Sequence, residues 1–406
     1  MPARTILVVC PQGRDRNAVR AAGLERRFDV RFAGPDLDAL ERVDAAGLLA
    51  ELEAVPADAV VATKDRSALL AAVLAERRGL AGPPPAAVAR CQHKPTSRRL
   101  LLDALPDATP QFAELDSGGP PFSLPCFVKP VVGRLSQNAK RIDDAAELEE
   151  LPEDGYVEGW SEIAALAGFR VRSAAGYVAE ELLTGDEVTV EGYVRGGKVT
   201  VIGMTDAVKY EGTNSFERFE YPTRFGGERQ AELRGVAEAA IRTLGFDDGF
   251  FNVELVVPSE GPARILEVNG RISSQFAPLI LATHGRSTYD ALFALACGDD
   301  PAWRDEPAAG VGVSYVLRVF EDAYCAGVPE TQGDDEILVE PGSRLSVQGA
   351  NDAQSYRLAI IYEAGETREE AVERARTRAR ELRRRFDLRP LPQVASAQPR
   401  RQPARS

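Results

Sequence analysis

Three polar side chains of different chemistry occupy alternate positions in residues 264–276, RILEVNGRISSQF: Glu267, Asn269 and Arg271. The apolar residues between them favour a β-strand, in which alternate side chains point to one face. A carboxylate and an amide oxygen are ligands for a hard cation such as Mg²⁺, and a guanidinium pairs with a carboxylate or a phosphate. The segment therefore predicts a polar strand face that binds a charged ligand.

A second strand with a similar polar pattern precedes this one and predicts a hairpin. With the turn centred between positions 260 and 261, Glu254 lies opposite Glu267 and Asn252 lies opposite Asn269. Two directly opposed carboxylates about 5 Å apart repel each other unless a cation lies between them. The other face of the hairpin is predicted to carry the core residues Val253, Leu255, Leu266 and Val268. A solvated polar face, or a register that differs by one residue, is the alternative interpretation.

Composition limits the class of protein and of partner. The 406 residues suggest two or three domains, and a net charge of −13 argues against a nucleic-acid partner or an anionic membrane. The first apolar run, residues 6–9, is too short for a signal peptide or a membrane span, and five scattered cysteines fit a reducing compartment. We therefore expect a cytoplasmic protein with small-molecule partners and free, mostly buried thiols. His93 and His284 are predicted to be structural, and a homodimer is compatible with these properties.

The order of the predicted elements divides the chain into four segments. Alternating strands and helices in residues 1–90 predict a Rossmann-like domain with a parallel sheet. Residues 91–306 mix helices with hairpins. Residues 307–390 predict a small α+β domain with strands near 311–320, 344–347 and 356–363 and a helix at 368–386. Residues 391–406 lack apolar periodicity and are predicted to be disordered. The predicted fold class is α/β, with α+β parts.

Several segments, in this order, resemble motifs of the ATP-grasp superfamily. They are QHKPTSRRLLLDALPDATPQF, PCFVKPVVGRLSQNAKRI, YVAEELLTGDEVTVEGYV, and the pair NVE and EVNGR of the hairpin. The resemblance covers about residues 5–300 and implies an ATP-grasp fold with a nucleotide lid at about residues 110–185. The segment SYRLAIIYEAGETREEAVERA resembles the small closing domain of biotin-carboxylase-like members.

The resemblance also implies which residues bind the nucleotide and the metal. The positions that match ATP-binding residues are Lys94, Lys129, Ser136, Glu180, Glu181, Leu183 and Glu187. The two lysines would contact phosphate, and Glu187 would bind the ribose. Glu180, Glu181 and Leu183 would contact adenine, the last two through their backbone. Glu254, Glu267 and Asn269 would hold one or two Mg²⁺ ions, or Mn²⁺. The loop at residues 133–139 has Gly133 alone where the family carries several glycines, and polar side chains supply donors there.

The activity that the resemblance implies is ATP-dependent ligation of a carboxylate to an amine. Arg271, beyond the metal ligands, would bind the substrate carboxylate as a catalytic residue. Further candidates for substrate contacts are Lys209, Arg224, Ser273 and Ser274. Biotin carboxylases carry an acid four residues after the arginine, where this chain has Gln275, which cannot accept a proton. A carboxylase-like or purine-biosynthesis-like enzyme, or a nucleotide-binding regulator without turnover, remains the alternative.

Overall fold

The computed structural model describes residues 3–37, 43–115, 123–133, 138–152, 159–304, 306–331, 333–348 and 355–391. Within these ranges the strands form sheets of three, eight, three and four strands. No helix in these ranges is long and apolar enough to cross a membrane. All five cysteines are free thiols, and four of them are buried, as predicted.

The first sheet is parallel, which confirms the expectation for the N-terminal segment. Its central strand is β1 (Thr5–Val9), flanked by β2 (Asp29–Ala33) and β3 (Ala59–Val61). The helices of this segment are α1 (Gly13–Ala21), α2 (Ala45–Glu53) and α3 (Asp65–Arg77). Residues 66–75 of α3 are all buried, and all except Arg66 and Ser67 are Ala, Leu or Val, so this part of the helix packs on more than one side. The buried helix fixes the position of its first residue, Asp65.

Two helices lead from the first sheet to a four-stranded antiparallel sheet. They are α4 (Pro85–Gln92) and α5 (Lys94–Ala104). The sheet has the order β4-β7-β5-β6. Its strands are β4 (Phe112–Glu114), β5 (Cys126–Pro130), β6 (Lys140–Ile142) and β7 (Tyr177–Glu181), and α6 (Trp160–Leu166) precedes β7 in the chain. His93 caps α5 through its contact with Thr96, which confirms a structural role for this histidine.

The largest sheet has eight strands and continues from the central segment into the C-terminal one. Its order is β12-β11-β8-β9-β10-β13-β17-β15. The strands, in chain order, are β8 (Asp186–Arg195), β9 (Lys198–Lys209), β10 (Phe216–Tyr221), β11 (Gly249–Val257), β12 (Arg264–Asn269), β13 (Val311–Val319), β15 (Glu336–Ile337) and β17 (Tyr356–Gly365). The remaining helices are α7 (Gly227–Thr243), α8 (Ala277–His284), α9 (Thr288–Ala296) and α10 (Arg368–Arg385).

A small third antiparallel sheet completes the C-terminal segment. It consists of β14 (Ala323–Gly327), β16 (Ser343–Arg344) and β18 (Asp387–Pro390). The strand predicted near 344–347 is limited to Ser343–Arg344, because residues Leu345–Gln348 form a 3₁₀ helix. The side chain of Gln348 donates to the carbonyl groups of Leu338 and Arg357, and these bonds hold the turn where the sequence suggested a sheet ladder.

The hairpin of β11 and β12 has the predicted register at its polar end. Asn252 pairs with Asn269 and Glu254 pairs with Glu267. Beyond this point the register shifts, so that Leu255 pairs with Ile265. The prediction that Leu266 faces the core is therefore wrong: this residue is half-buried in the shifted segment, and Ile265 is the core residue.

Candidate active site

The opposed carboxylates Glu254 and Glu267 form the centre of the site. Asn269 lies beside them and donates through Nδ2 to Asn252 Oδ1 at 2.9 Å and to Glu254 Oε1 at 3.2 Å. Because its nitrogen is used in this way, the Oδ1 atom of Asn269 is the atom that can ligate a cation. The three residues predicted as metal ligands are therefore neighbours in the fold.

The electrostatics of this pair fit a bound cation. Burial, followed by the charges of Glu267 and Glu187, raises the pKa of Glu254 to about 8. A divalent ion between the carboxylates would offset this repulsion and keep Glu254 ionised. No group of three or more His, Cys, Asp or Glu side chains arranged for a metal occurs in the described ranges. A site made from two carboxylates and an amide oxygen leaves positions open for phosphate oxygens.

A cavity of about 180 Å³ beside the carboxylate pair holds most of the predicted nucleotide ligands. It is lined by Lys94, Lys129, Glu180, Glu181, Leu183, Glu187, Glu254 and Glu267, among others. Lys94 Nζ lies 3.1 Å from Glu267 Oε1. Lys129 Nζ lies 2.8 Å from Glu180 Oε2 and donates to the Leu266 carbonyl at 3.2 Å. Burial lowers the pKa of Lys129, and Glu180 opposes this effect.

Arg98 is a residue of this region that the sequence interpretation missed. Its guanidinium donates to both oxygens of Glu180, at 2.8 and 3.0 Å, and to the Leu266 carbonyl at 2.6 Å. Burial disfavours the Glu180 carboxylate, but Arg98 and Lys129 outweigh it and lower its pKa to about 2. Arg98 therefore links α5 to β7 and to the shifted segment of β12. The sequence did contain a signal for this residue, because an arginine on the buried face of a predicted helix needs a partner.

Two of the candidate substrate residues do not line the cavity that Arg271 lines. Lys209 pairs with Glu187 and lines the nucleotide cavity. Arg224 pairs with Asp186 at 2.6 Å and lines a separate groove between the large sheet and α10. Ser136, predicted as a phosphate donor, lies outside the described residues.

Arg271 is oriented by a residue from the N-terminal segment. Its Nε and Nη2 atoms donate to the two oxygens of Asp65, at 2.7 and 3.1 Å. Asp65 was not among the predicted site residues, because the ion pair joins positions 206 apart in sequence. This bidentate pair fixes the plane of the guanidinium.

Arg271 faces a second cavity of about 340 Å³, which also contains Ser273 and Ser274. Gln275 lines it too and donates to Ser314 Oγ at 3.0 Å. The backbone N–H of Ser273 donates to the buried Glu191 at 2.8 Å, and burial raises the pKa of that carboxyl to about 8. The predicted residues Arg271, Ser273 and Ser274 are therefore brought together. Other walls of this cavity, from Gln12, Arg14 and residues 63–66, were missed because they come from loops and from the first turns of helices in the N-terminal segment, far away in sequence.

Comparison with known proteins shows what the part of the chain around this site is similar to. A model of the ATP-grasp domain matches residues 122–278. A D-alanine–D-alanine ligase from Anaeromyxobacter sp. (strain Fw109-5) is 30% identical over 191 residues, which are 43% of this chain and 53% of that ligase. A D-alanine–D-alanine ligase from Porphyromonas gingivalis is 24% identical over 200 residues, 46% of this chain and 54% of that ligase. The chain thus spans about half the length of the curated relatives that it matches.

Two solved structures are similar over nearly the whole chain. An L-amino acid ligase from Bacillus licheniformis has a TM-score of 0.71 at 18% identity, over 95% of this chain and 98% of that chain. The biotin carboxylase domain of a 2-oxoglutarate carboxylase from Hydrogenobacter thermophilus has a TM-score of 0.68 at 15% identity, over 96% of this chain and 91% of that chain. At these identities the comparison shows the fold.

Residues 122–278 therefore match an ATP-grasp domain, in agreement with the motifs of the sequence. The solved structures share the fold over nearly the whole chain, and the α/β fold class is confirmed.

Proposed function

We propose that this protein is an ATP-dependent carboxylate–amine ligase that joins amino acids or small peptides. The observation that carries this proposal is the position of Glu187, Glu254 and Glu267, which line both the nucleotide cavity and the Arg271 cavity. Phosphate transfer at the carboxylate pair would therefore reach a substrate in the second cavity. The structural relative named an L-amino acid ligase supports the same activity.

The nucleotide would lie in the cavity that contains Lys94, Lys129 and Glu187. Glu180, Glu181 and Leu183 would contact adenine, the last two through their backbone, and Glu187 would accept hydrogen bonds from the ribose hydroxyls. Lys94 and Lys129 would neutralise phosphate charge, with Ser136 as a further donor. Glu254, Glu267 and Asn269 would hold Mg²⁺, or Mn²⁺, which supplies charge neutralisation at the phosphates.

In the proposed reaction a substrate carboxylate oxygen attacks the γ-phosphorus of ATP, and the bond to the ADP oxygen breaks. The products of this step are an acyl phosphate and ADP. The amine nitrogen then attacks the acyl carbon, the C–O bond to phosphate breaks, and the nitrogen loses a proton. Arg271, held by Asp65, would bind the carboxylate and the oxyanion that develops on it. Ser273 and Ser274 would add hydrogen-bond donors.

Gln275 argues against a carboxylase-like reaction for this chain. An amide cannot take a proton from bicarbonate, and here the amide nitrogen of Gln275 donates a hydrogen bond to Ser314 Oγ. The orientation of Arg271 by Asp65 argues against a regulator without turnover, because nucleotide binding alone does not require a guanidinium fixed in the second cavity.

The test is a screen for ADP release over pairs of amino acids, with bicarbonate as a separate condition. Release that depends on two amino acids, together with a dipeptide seen by mass spectrometry, is the expected result. Release with bicarbonate alone would favour the carboxylase alternative. ATP binding without release under any condition would favour a regulator.

We further propose the domain limits 1–90, 91–306 and 307–390, with a tail at 391–406. A cytoplasmic protein with small-molecule carboxylate and amine substrates fits the composition. A homodimer, to be tested by light scattering, stays a proposal.

A further inference from the structure

A row of three aromatic rings lines one wall of the Arg271 cavity. Phe219 lies at the centre of the row, with its ring centroid 5.0 Å from that of Phe216 and 5.1 Å from that of Phe276. Phe216 also lines the nucleotide cavity. The row therefore begins at the proposed nucleotide cavity and runs into the Arg271 cavity.

An irregularity in β10 puts Phe216 and Phe219 on the same face of the sheet. Residues three apart in a regular strand point to opposite faces. Here Phe216 pairs with Lys209 and Phe219 pairs with Ala207, with a register shift between Phe216 and Arg218. The shift adds a residue and returns the second ring to the face of the first.

This face is also the one that carries the carboxylate pair. Glu254 pairs with Thr189 on β8, and Phe219 pairs with Ala207 on β9. Ala207 in turn pairs with Glu187, two residues from Thr189 on the same strand. Three strand spacings separate β11 from β10, which is about 14 Å across the sheet. Thr189 and Ala207 line the cavity between them, and their small side chains leave a trough there.

We infer that the acyl substrate carries a large apolar or aromatic side chain, which lies in this trough against Phe219. The inference rests on the proposed function, because it assumes that the acyl carboxylate is bound near Arg271 and the carboxylate pair. A separation of about 14 Å accommodates a transferred phosphoryl group, the carboxylate and an extended side chain. Lys209, whose ammonium lies 5.7 Å from the centroid of the Phe216 ring, is paired with Glu187, so the aromatic wall favours apolar groups.

The test measures ADP release for each amino acid as acyl donor and identifies the N-terminal residue of the product by mass spectrometry. Donors such as Phe, Leu and Met should have kcat/KM values at least about tenfold above those of Ala, Ser and Asp. Phe219→Ala should lower kcat/KM for the large donors at least about tenfold and that for Ala less than about threefold. Phe219→Leu, a milder change, should give an intermediate loss.

Two further variants complete the design. Ala207→Leu fills the trough and should shift preference toward small donors. Phe320→Ala removes a half-exposed phenylalanine that contacts Tyr210 outside the cavity, and it should leave the preference unchanged. Turnover with small or charged donors as good as with large ones, or large residues found only as the amine partner, would overturn the inference while leaving the ligase proposal intact. No release with any pair would overturn both.

Discussion

At the scale of single residues, the site depends on charges that compensate one another. Glu254 and Glu267 are directly opposed, and Lys94 contacts Glu267. The guanidinium of Arg271 is matched by Asp65. Lys94 and Arg271 are therefore each paired with a carboxylate. The repulsion between Glu254 and Glu267 would be offset by a bound cation.

Glu267→Gln should abolish ADP release while leaving the protein folded. The amide keeps the shape of the side chain but removes the negative charge that a divalent ion needs. Turnover is measured by ADP release, and folding by circular dichroism and thermal unfolding. Glu260→Gln, at an exposed position in the hairpin turn, is the matched control and should behave as wild type. Wild-type turnover in Glu267→Gln would remove the metal assignment.

Arg271→Lys should keep ATP affinity within a few-fold and lower turnover at least about tenfold. A lysine gives one point charge where the guanidinium gives a planar pair of donors, and losing such a pair typically costs about 2–5 kcal/mol. Titration measures ATP affinity, and phosphate release measures turnover. A collapse of ATP affinity with unchanged turnover at saturating ATP would make Arg271 a nucleotide ligand.

Asp65→Asn provides the companion measurement for a positioning residue. It should lower kcat in the same way, because it releases the guanidinium without removing it. The double variant Asp65→Asn/Arg271→Lys should lose less than the sum of the two single losses, as expected for residues that act as one unit. Additive losses would show that Asp65 acts separately from Arg271.

The sequence was sufficient to predict contacts between residues that are close together in the chain. The pairing of Glu254 with Glu267 follows from the period of two along a hairpin, and it was predicted correctly. Asp65 and Arg98 were not found, because their partners lie in distant segments whose packing no local pattern encodes.

At the scale of elements, one buried ion cluster connects a helix to two sheets. Arg98 on α5 reaches Glu180 on β7 and the Leu266 carbonyl on β12. The register shift in β12 leaves Leu266 in the irregular segment, where its carbonyl accepts from both Arg98 and Lys129. The sequence could not reveal this shift, since Ile265 and Leu266 are both apolar and either of them could face the core.

The stability of this cluster should depend on pH in a defined direction. Because the pKa of Glu180 is lowered from 4.5 to about 2 in the folded protein, its contribution is present above pH 4.5 and is lost as the pH falls toward 2. The contribution at neutral pH is about 3 kcal/mol by this argument. Urea unfolding of wild type and Glu180→Gln between pH 3 and 7 should therefore show a difference that shrinks at low pH.

The exposed pair of Arg99 with Glu114, from the same helix to the neighbouring strand, is the control. Glu114→Gln should change the free energy of unfolding by less than about 1 kcal/mol at any of these pH values, because solvent screens the pair. A difference between wild type and Glu180→Gln that does not vary with pH would contradict the cluster's electrostatic role.

At the scale of the whole molecule, the Arg271 cavity is built by all three segments. Gln12 and residues 63–66 come from the first, the hairpin from the second, and Leu338 and Arg357 from the third. Arg14 on α1 pairs with Glu336 on β15 at 2.7 Å, and both side chains are mostly buried. The sequence predicted the order of these segments but not the eight-stranded sheet that crosses position 306, because sheet neighbours distant in sequence leave no local signal.

Removing residues 391–406 should leave activity and thermal stability unchanged, because these residues lack apolar periodicity. A longer truncation, after Phe386, should lower the melting temperature by several degrees. It removes β18, which pairs with β14, and Leu388, which packs on the C-terminal core. Differential scanning fluorimetry and ADP release on both truncations make the comparison. Loss of activity in the shorter truncation would show that the tail contacts the body.

The ion pair between Asp65 and Arg271 also constrains the design of chimaeric proteins in which the first segment is replaced. The first 90 residues look like an exchangeable module, and replacing them is an obvious route to new substrates. The replacement segment would nevertheless supply the residue at position 65, which orients the guanidinium of Arg271. If the first residue of the helix equivalent to α3 is not acidic in the replacement segment, the cavity will have the intended walls but Arg271 will not be held in its orientation. Whether a replacement segment is compatible with the rest of the protein therefore depends first on the Asp65–Arg271 ion pair and only then on the residues that line the cavity.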